Sequence, residues 1–240
     1  ICSERTKMGT MPADPVAVKT IVTTDIAAKI AKEYGVKLIE VLTGFKFIGE
    51  QIGFLEDKGQ EDRYIFGFEE SYGYLAGSYV RDKDAVVASM LICEMAAFYR
   101  TKGISLIQAR ENMYKKYGVY VHSQSSFVCE GVTGMERMKE IMSDLRTNTP
   151  KTIGGLTVTR FEDYLASTSV DTATGAKTML TLPKSDVLTF KLTDGASVII
   201  RPSGTEPKIK AYYTTTGTTK AEAAALEKTI SDDFAKILGF

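Results

Sequence analysis

The sequence predicts an α/β domain, with a mixed sheet of βαβ units covered by helices, followed by a smaller α+β domain with an antiparallel sheet and helices on one face. The first observation is that strand-like runs alternate with helical patterns between Pro15 and Phe68. The second is that strand-like runs dominate from Ile153 onward. The third is a composition of 44% hydrophobic and 25% charged residues over 240 positions, which is typical of one large or two ordinary globular domains.

The elements of the first domain follow from turn and capping signals. β-branched residues predict a strand over Pro15–Val22, and Gly35 is a stop signal for the helix that follows. The later elements are predicted as strand Val36–Val41, loop Thr43–Lys46, helix Ile48–Asp57, strand Tyr64–Phe68, an apolar helix Asp84–Tyr99 and a helix from Ser105 to Tyr117. Cys93 and the methionines of the apolar helix are expected in the core.

A strand at Val119–Val128 and a helix over Met135–Arg146 follow, and a domain boundary is predicted near residues 130–152, with the second domain strand-like from Ile153 onward. Capping boxes are expected at three helix starts. They pair Ser105 with Gln108, Thr133 with Glu136 and Thr219 with Glu222. A hairpin is expected to turn at Asp194-Gly195, and the last helix covers Lys220–Leu238.

Charge and cysteine content exclude some function classes. Thirty basic and thirty acidic residues give a formal net charge of zero, which argues against a protein that coats nucleic acid or a membrane surface. The three cysteines are widely separated, show no metal-site spacing, and suit a reducing cytoplasm. The single histidine, His122, cannot build a metal cluster, so no metal site is predicted.

Two loops carry residues suited to a phosphorylated sugar. Around Ser203-Gly204-Thr205, two hydroxyls and unhindered backbone N–H groups lie between Arg201 on one side and Lys208 and Lys210 on the other, a pattern suited to phosphate. The alternative is an ordinary strand–turn–strand corner with surface charges. The loop Glu69–Tyr74 places two carboxylates and a serine at a strand end, where they can bind sugar hydroxyls; the alternative is a polar turn with solvated glutamates.

Four motifs in order resemble the α-D-phosphohexomutase family, in its bacterial phosphoglucomutase/phosphomannomutase group. They are Thr43-Gly44-Phe45-Lys46-Phe47-Ile48-Gly49, Gly67-Phe68-Glu69-Glu70-Ser71-Tyr72-Gly73, Arg81-Asp82-Lys83-Asp84 and Arg201-Pro202-Ser203-Gly204-Thr205-Glu206-Pro207. The resemblance implies four domains around a central cleft in the intact protein. Motifs like the family's phosphoserine loop and magnesium loop do not occur in this sequence, so we expect no catalytic residue here.

The resemblance implies a role for each matching position. It assigns sugar binding to Glu69, Ser71, Thr43, Gly44 and Phe45. It assigns phosphate binding to Arg201, Ser203, Gly204, Thr205, Lys210, Lys83 and Lys19. Lys210 stands where some relatives carry arginine, and this substitution loses the bidentate fork of that side chain. Glu70 and Lys46 are weaker assignments.

The implied domains are 1–12 as the tail of a preceding domain, 13–130 as the sugar-binding domain, 131–152 as a linker helix and 153–240 as the phosphate-binding domain. The implied activity is phosphoglucomutase, an isomerase that uses Mg2+ and glucose 1,6-bisphosphate in the intact cytoplasmic protein. The sequence begins at Ile1 without an initiator methionine. This start favours a fragment, and the resemblance implies a C-terminal half that binds hexose phosphate and partners with missing N-terminal domains. Because the serine and magnesium loops are absent from the sequence, we expect it to be inactive alone. Phosphomannomutase, another phosphosugar mutase and a free-standing phosphosugar-binding module remain alternatives.

Overall fold

The computed structural model describes residues 1–131, 133–204 and 206–240. The chain forms two compact units, which divide between Gly118 and Val119. Among the described residues, no helix combines the length and apolar character that crossing a bilayer requires.

The first unit is an α/β unit built on a mixed sheet. Its elements are α1 Cys2–Met8, β1 Val16–Thr20, α2 Ile26–Glu33, β2 Lys37–Val41, α3 Phe45–Glu56, a 3₁₀ turn Glu61–Arg63, β3 Tyr64–Phe68, β4 Tyr74–Leu75, α4 Ala85–Thr101 and α5 Leu106–Tyr117. The sheet order is β2-β1-β3-β4. Strands β1, β2 and β3 are parallel and β4 runs antiparallel to β3, which confirms the predicted mixed sheet.

The central strand β1 is buried on both faces because helices cover both sides of the sheet. Val16 and Val18 pack in a cluster with residues of α3, including Ile48. Ala17 points to the opposite face and packs with Ala31 of α2, as the alternation of side chains along a strand requires. This arrangement explains why three successive apolar residues, Val16 to Val18, begin β1 in place of an alternation of apolar and polar residues.

Local signals placed several helix ends correctly. The Ser105 hydroxyl accepts from the Gln108 N–H and the Gln108 amide oxygen accepts from the Ser105 N–H, so the predicted capping box is confirmed. Asp84 caps α4 by accepting from the backbone N–H groups of Val86 and Val87. Helix α3 begins at Phe45 rather than near Ile48, because Phe45 is itself a core residue and the chain turns at Gly44.

Helix α4 is much less buried than its composition predicts. None of its residues, all of which are described, is fully buried, and Cys93 is exposed. Met90 and Met95 are exposed as well, so the prediction that Cys93 and these methionines belong to the core is wrong. The helix contacts β4 and α5 within its unit, and only one side of it is therefore covered.

The second unit is an antiparallel sheet with helices on one face, as predicted. Its elements are β5 Val119–Val128, α6 Gly134–Thr147, β6 Thr152–Ile153, β7 Leu156–Asp163, β8 Thr168–Asp171, β9 Lys177–Met179, β10 Leu188–Leu192, a 3₁₀ turn Thr193–Gly195, β11 Ser197–Pro202, β12 Lys208–Gly217 and α7 Lys220–Ile237. The sheet order is β5-β12-β11-β10-β7-β8-β9, and β6 pairs with β7. The hairpin at Asp194-Gly195 joins β10 to β11 as expected.

The core of this unit lies between the sheet and helices α6 and α7. Met138 and Met142 from α6, and Phe234 from α7, pack against strand residues such as Val198 and Ile200. Of the two remaining capping boxes, Thr219 does accept from the Glu222 N–H, but the Glu222 carboxylate bonds to Thr218 instead of completing the box. Thr133 makes no side-chain cap at the start of α6.

The unit boundary differs from the sequence-based one. Strand β5 pairs with β12 along its whole length, from Val119 opposite Gly217 to Val128 opposite Lys208, and therefore belongs to the second unit. Helix α6 contributes buried residues to the same core and is part of that unit rather than a linker. At the other end, Cys2 and Met11 pack against the α2 side of the first unit, so residues 1–12 are integrated into it.

Candidate functional site

In the first unit, three loops emerge at the same edge of the sheet. Parallel register places Thr20 of β1 beside Val41 of β2, and Lys19 beside Phe68 of β3. The carboxyl ends of these strands therefore lie side by side, with about 5 Å between neighbouring strands. The segments that follow them include Thr43–Phe45 and Glu69–Gly73. This is the edge where open α/β sheets bind their ligands.

The Thr43–Phe45 segment is held at the start of α3. Gly44 has φ +117° and ψ 125°, a backbone conformation that residues with a Cβ rarely adopt. Phe45 is 4% exposed and packs in the core beneath this edge, so its ring anchors the segment from below. Thr43 and Gly44 are half-buried, which leaves part of each open to a ligand.

The Glu69–Gly73 loop closes on itself. The Glu69 N–H donates to the Gly73 carbonyl oxygen at 2.9 Å, and Tyr72 adopts a left-handed conformation with φ +65°. A Cβ at Gly73 would lie 2.7 Å from both Cγ and Oε1 of Glu69, so the Glu69 side chain rests directly on the glycine. Ser71 and Tyr72 at the tip are exposed. The loop thus fixes the orientation of the half-buried Glu69 side chain, and the exposed Ser71 presents its hydroxyl to solvent.

Lys83 lies beside the Thr43–Phe45 segment. Its Nζ is 5.8 Å from the centre of the Phe45 ring and 3.0 Å from Asp82 Oδ1. Hydrogen bonds from the Lys83 side chain and backbone to Asp82 lower the pKa of that carboxyl below its ordinary value. The structure therefore brings the Arg81–Asp84 motif next to Thr43–Phe45. Gly49 permits this approach, because a Cβ there would lie 2.2 Å from the Arg81 carbonyl oxygen.

Lys19 has a different environment from the one predicted. Its side chain is fully buried, and its Nζ lies 2.7 Å from Glu40 Oε1, 3.1 Å from Asp25 Oδ1 and 2.9 Å from the Thr23 carbonyl oxygen. An ammonium held by two carboxylates and a carbonyl is neutralised by the protein itself. The predicted direct contact between Lys19 and a phosphate is not supported by this geometry.

The second unit places two cations opposite each other. In the antiparallel pair β11–β12, Arg201 is the register partner of Lys210, and Pro202 is the partner of Ile209. Side chains of directly opposed residues share one face of a sheet, with Cβ atoms about 4.5–5.5 Å apart. Ile200 and Ile209 point into the core, so Arg201 and Lys210 lie on the other face, where both are half-buried.

The turn after Arg201 is organised by its own hydrogen bonds. The Ser203 N–H donates to the Lys208 carbonyl oxygen at 2.8 Å, and the Ser203 hydroxyl accepts from the Glu206 N–H at 3.3 Å. A Cβ added at Gly204 would meet none of the described atoms within 4 Å. The Lys208 ammonium, 2.6 Å from the Glu206 carboxylate, lowers the pKa of Glu206, with a smaller contribution from Lys210. Thr205, the remaining predicted ligand of this turn, lies outside the described residues.

The sequence did not single out Thr20 and Thr23, whose hydroxyls contact Glu70 in the structure. Their position at the carboxyl end of a buried strand, with Thr20 as its last residue, was the available signal, since polar residues at such strand ends commonly serve a site. Among the described residues, no three His, Cys, Asp or Glu side chains come together in a way that could hold a metal ion.

Comparison with known families gives two matches that cover most of the chain. Residues 1–117 match the model of the α/β/α domain III of phosphoglucomutase/phosphomannomutase, and residues 145–232 match the C-terminal domain of the same family. The chain belongs to the phosphoglucomutase/phosphomannomutase family. The match to domain III starts at residue 1, in agreement with the packing of residues 1–12 in the first unit.

Individual family members agree with this assignment. A phosphoglucomutase of Staphylococcus aureus strain RF122 is 39% identical over 195 residues, which cover 81% of this chain and 35% of that protein. The enzyme of strain MRSA252 is 38% identical over the same share. The chain thus spans about a third of the length of the curated relatives it matches.

Solved structures of the family share the fold. Parafusin, a phosphoglucomutase from Paramecium in its open form, superposes with a TM-score of 0.65 at 21% identity, over 93% of this chain and 37% of that one. A phosphoglucomutase/phosphomannomutase family protein from Burkholderia thailandensis gives a TM-score of 0.53 at 14% identity, over 99% of this chain and 39% of that one. These likenesses confirm the predicted fold class.

Proposed function

We propose that this chain is the substrate-binding half of a phosphoglucomutase, which interconverts glucose 1-phosphate and glucose 6-phosphate. Membership of the family supports the reaction class. The name of the Staphylococcus relatives, phosphoglucomutase, favours glucose over mannose as the sugar. The share of those relatives that the chain covers, 35%, fits the two matched family domains.

The observation that carries the proposal is the opposition of Arg201 and Lys210 across β11 and β12. Two like charges directly opposite each other repel, and a phosphate group between them turns that repulsion into two charge-assisted contacts. Ser203 adds a hydroxyl and Gly204 adds an unhindered backbone at the adjoining turn. In this proposal, these four residues hold the phosphate that does not react, and Thr205 belongs to the same loop.

The first unit supplies the contacts to the sugar in this proposal. Glu69 accepts hydrogen bonds from sugar hydroxyls, and Ser71 donates to or accepts from them. Thr43 and Gly44 contribute polar groups from the neighbouring loop, and Phe45 positions that loop through its buried ring. Lys83, which lies beside Phe45, supplies a positive charge for a phosphate at this edge.

The reaction moves a phosphoryl group between O1 and O6 of the hexose through a phosphoserine and glucose 1,6-bisphosphate. Such transfers depend on positioning and on stabilisation of charge, so residues that bind and orient the sugar phosphate raise the rate without forming bonds. Magnesium, when bound in the parent protein, neutralises charge on the phosphoryl group. The described residues offer no cluster that fits it, and we assign neither the metal nor the serine to this chain.

A binding comparison tests the proposal. In a titration of the 240-residue chain followed by NMR, we expect glucose 6-phosphate to bind more tightly than inorganic phosphate and unphosphorylated glucose to bind least. In a coupled assay, we expect no interconversion of glucose 1-phosphate and glucose 6-phosphate by this chain. Equal responses to glucose and glucose 6-phosphate would contradict the phosphate anchor, and turnover would contradict a purely substrate-binding role.

The sequence of the encoding gene upstream of Ile1 separates the mutase from a free-standing binding module. We expect it to continue through a serine loop and an aspartate-rich loop of the kind that the family resemblance implies. A start codon directly before this segment, with no such loops, would favour the binding module. Substrate profiling of the complete protein with glucose, mannose and glucosamine phosphates then decides its sugar preference.

A further inference from the structure

Glu70 differs from its neighbours Glu69 and Ser71 because its carboxylate is bound within the protein. Its Oε2 lies 3.1 Å from Thr20 Oγ1 and 3.4 Å from Thr23 Oγ1. The two hydroxyl oxygens lie 2.7 Å from each other. Two hydroxyl protons serve these three contacts. At most one of these protons lies between the two hydroxyls, so at least one remains to donate to the Glu70 carboxylate.

The two threonines are themselves fixed in place. Thr20 is fully buried and Thr23 is 5% exposed. The Thr23 N–H donates to the Thr20 carbonyl oxygen at 3.0 Å, which closes the turn after β1. The buried ammonium of Lys19 donates to the Thr23 carbonyl oxygen at 2.9 Å and is locked in turn by Asp25 and Glu40. The hydroxyl pair is therefore a rigid point at the sheet edge.

The loop that Glu70 belongs to lacks comparable anchors at its tip. Ser71 and Tyr72 are exposed, with Tyr72 at 85%, and the backbone bond between Glu69 and Gly73 ties only the ends of the loop together. A single side chain that reaches from the middle of the loop to buried groups removes much of the remaining freedom. The contact of Glu70 with the threonines therefore places the binding groups of the loop precisely, and precise placement raises affinity and rate.

We propose that Thr20 and Thr23 are positioning residues for sugar recognition. By binding the Glu70 carboxylate, they fix the flanking residues Glu69 and Ser71 in the orientation that the sugar requires. Glu70 thus acts through the protein rather than on the sugar. Lys19 supports the same turn from below. This inference rests on the proposed function, because it assumes that Glu69 and Ser71 bind the sugar.

The test compares the affinities of the 240-residue chain for glucose 6-phosphate and for inorganic phosphate, both followed by NMR titration. The ratio of the two dissociation constants measures the contribution of the sugar contacts. We expect Thr20→Val to lower this preference for glucose 6-phosphate roughly three- to tenfold, the range for one lost hydrogen bond. The affinity for inorganic phosphate should stay unchanged, and Thr20→Ser, which restores a hydroxyl, should recover the preference.

Thr24→Val is the matched control, because Thr24 lies in the same turn and its hydroxyl accepts from the Ile26 N–H. It should leave the preference unchanged. Glu70→Ala provides a second measurement that does not depend on a buried substitution, since Glu70 is exposed overall. Because Thr20 acts through Glu70, the double variant Thr20→Val/Glu70→Ala should lose no more of the preference for glucose 6-phosphate than either single variant.

The possible outcomes distinguish a failure of the proposed sugar-binding function from a failure of the positioning role of Thr20 and Thr23. If the unmodified chain shows no preference for glucose 6-phosphate over inorganic phosphate, the assignment of Glu69 and Ser71 to the sugar fails. If that preference exists and Thr20→Val leaves it intact, the positioning role is overturned. A loss with Glu70→Ala alone would then identify Glu70 as a direct sugar contact. Fully additive losses in the double variant would also contradict the proposed coupling.

Discussion

Arg201 and Lys210 are directly opposed in neighbouring antiparallel strands, on the face of the sheet that points away from the helices. The sequence places them on either side of a turn, and the register of β11 with β12 decides that they lie directly opposite each other. Like charges in this position destabilise a strand pair. In the proposed function a phosphate group offsets this repulsion, and this role is the basis for the first prediction.

Replacement of Arg201 by alanine should weaken glucose 6-phosphate binding by about 1.5–3 kcal/mol, the range for a hydrogen bond to a charged group. Arg201→Lys should recover only part of the affinity, because the planar fork is lost. Calorimetric titration measures the affinity, with Lys191→Ala in β10 as a control. An unchanged dissociation constant for Arg201→Ala would exclude this loop as the anchor.

Replacement of Lys19 by methionine should lower the stability of the chain. The methionine keeps the length of the buried stem but leaves the Asp25 and Glu40 carboxylates without their shared ammonium. Because both carboxylates are partly exposed, solvent offsets some of the loss, and we expect about 1–3 kcal/mol. Urea denaturation measures the change, with the exposed Lys32→Met in α2 as control. Equal midpoints for the two variants would show that the buried ion pairs contribute no net stability.

Gly73→Ala should affect sugar binding more than folding. The added Cβ meets the Glu69 side chain at 2.7 Å, and this flexible side chain must move away from its present position. We expect a roughly three- to tenfold weaker affinity for glucose 6-phosphate, equivalent to one misplaced hydrogen bond, with unchanged inorganic phosphate binding. Gly53→Ala is the control, because it has open space around it in α3 and should raise stability by about 0.5–1 kcal/mol. Parallel loss of both affinities in Gly73→Ala would point to general misfolding instead.

The cap of α4 should give a pH-dependent contribution to stability. The hydrogen bond from the Tyr79 hydroxyl, followed by the backbone N–H groups of Val87 and Val86, lowers the pKa of Asp84 in the folded state. The ionised carboxylate therefore stabilises the fold above its unfolded pKa of about 3.9, and this contribution disappears as the pH falls through the lower folded value. Asp84→Ala should lower the thermal midpoint at neutral pH. In acid, the midpoints of the variant and the unmodified chain should converge. A pH-independent difference would contradict the electrostatic origin.

Local signals in the sequence predicted much of the fold. The alternation of strands and helices gave the parallel strands β1, β2 and β3, and strands Tyr64–Phe68 and Val119–Val128 occur with the predicted bounds. The Ser105–Gln108 capping box formed because both partners lie within one helical turn. The candidate loops could also be placed at the sheet edge, since parallel strands bring their carboxyl ends together. Each of these features depends on residues close in sequence or on a general rule of topology.

Features that depend on distant partners were predicted poorly. Val119–Val128 was correctly predicted as a strand, but its pairing with β12 was needed to place it in the second unit. Cys93 lies in an apolar helix, and only the tertiary arrangement shows which side of that helix is covered. Lys19 was assigned to phosphate from the family resemblance, and only the structure shows that its ammonium is buried beside Asp25 and Glu40.

The sequence by itself determined the family resemblance, the order of the elements and the types of residue available for a phosphorylated sugar. The tertiary structure decided how those residues are used. It placed Arg201 opposite Lys210, buried Lys19 and bound Glu70 to Thr20 and Thr23. The reason is physical: propensity and capping act within a few residues, whereas register, burial and hydrogen-bond partners are fixed only when separate segments pack together.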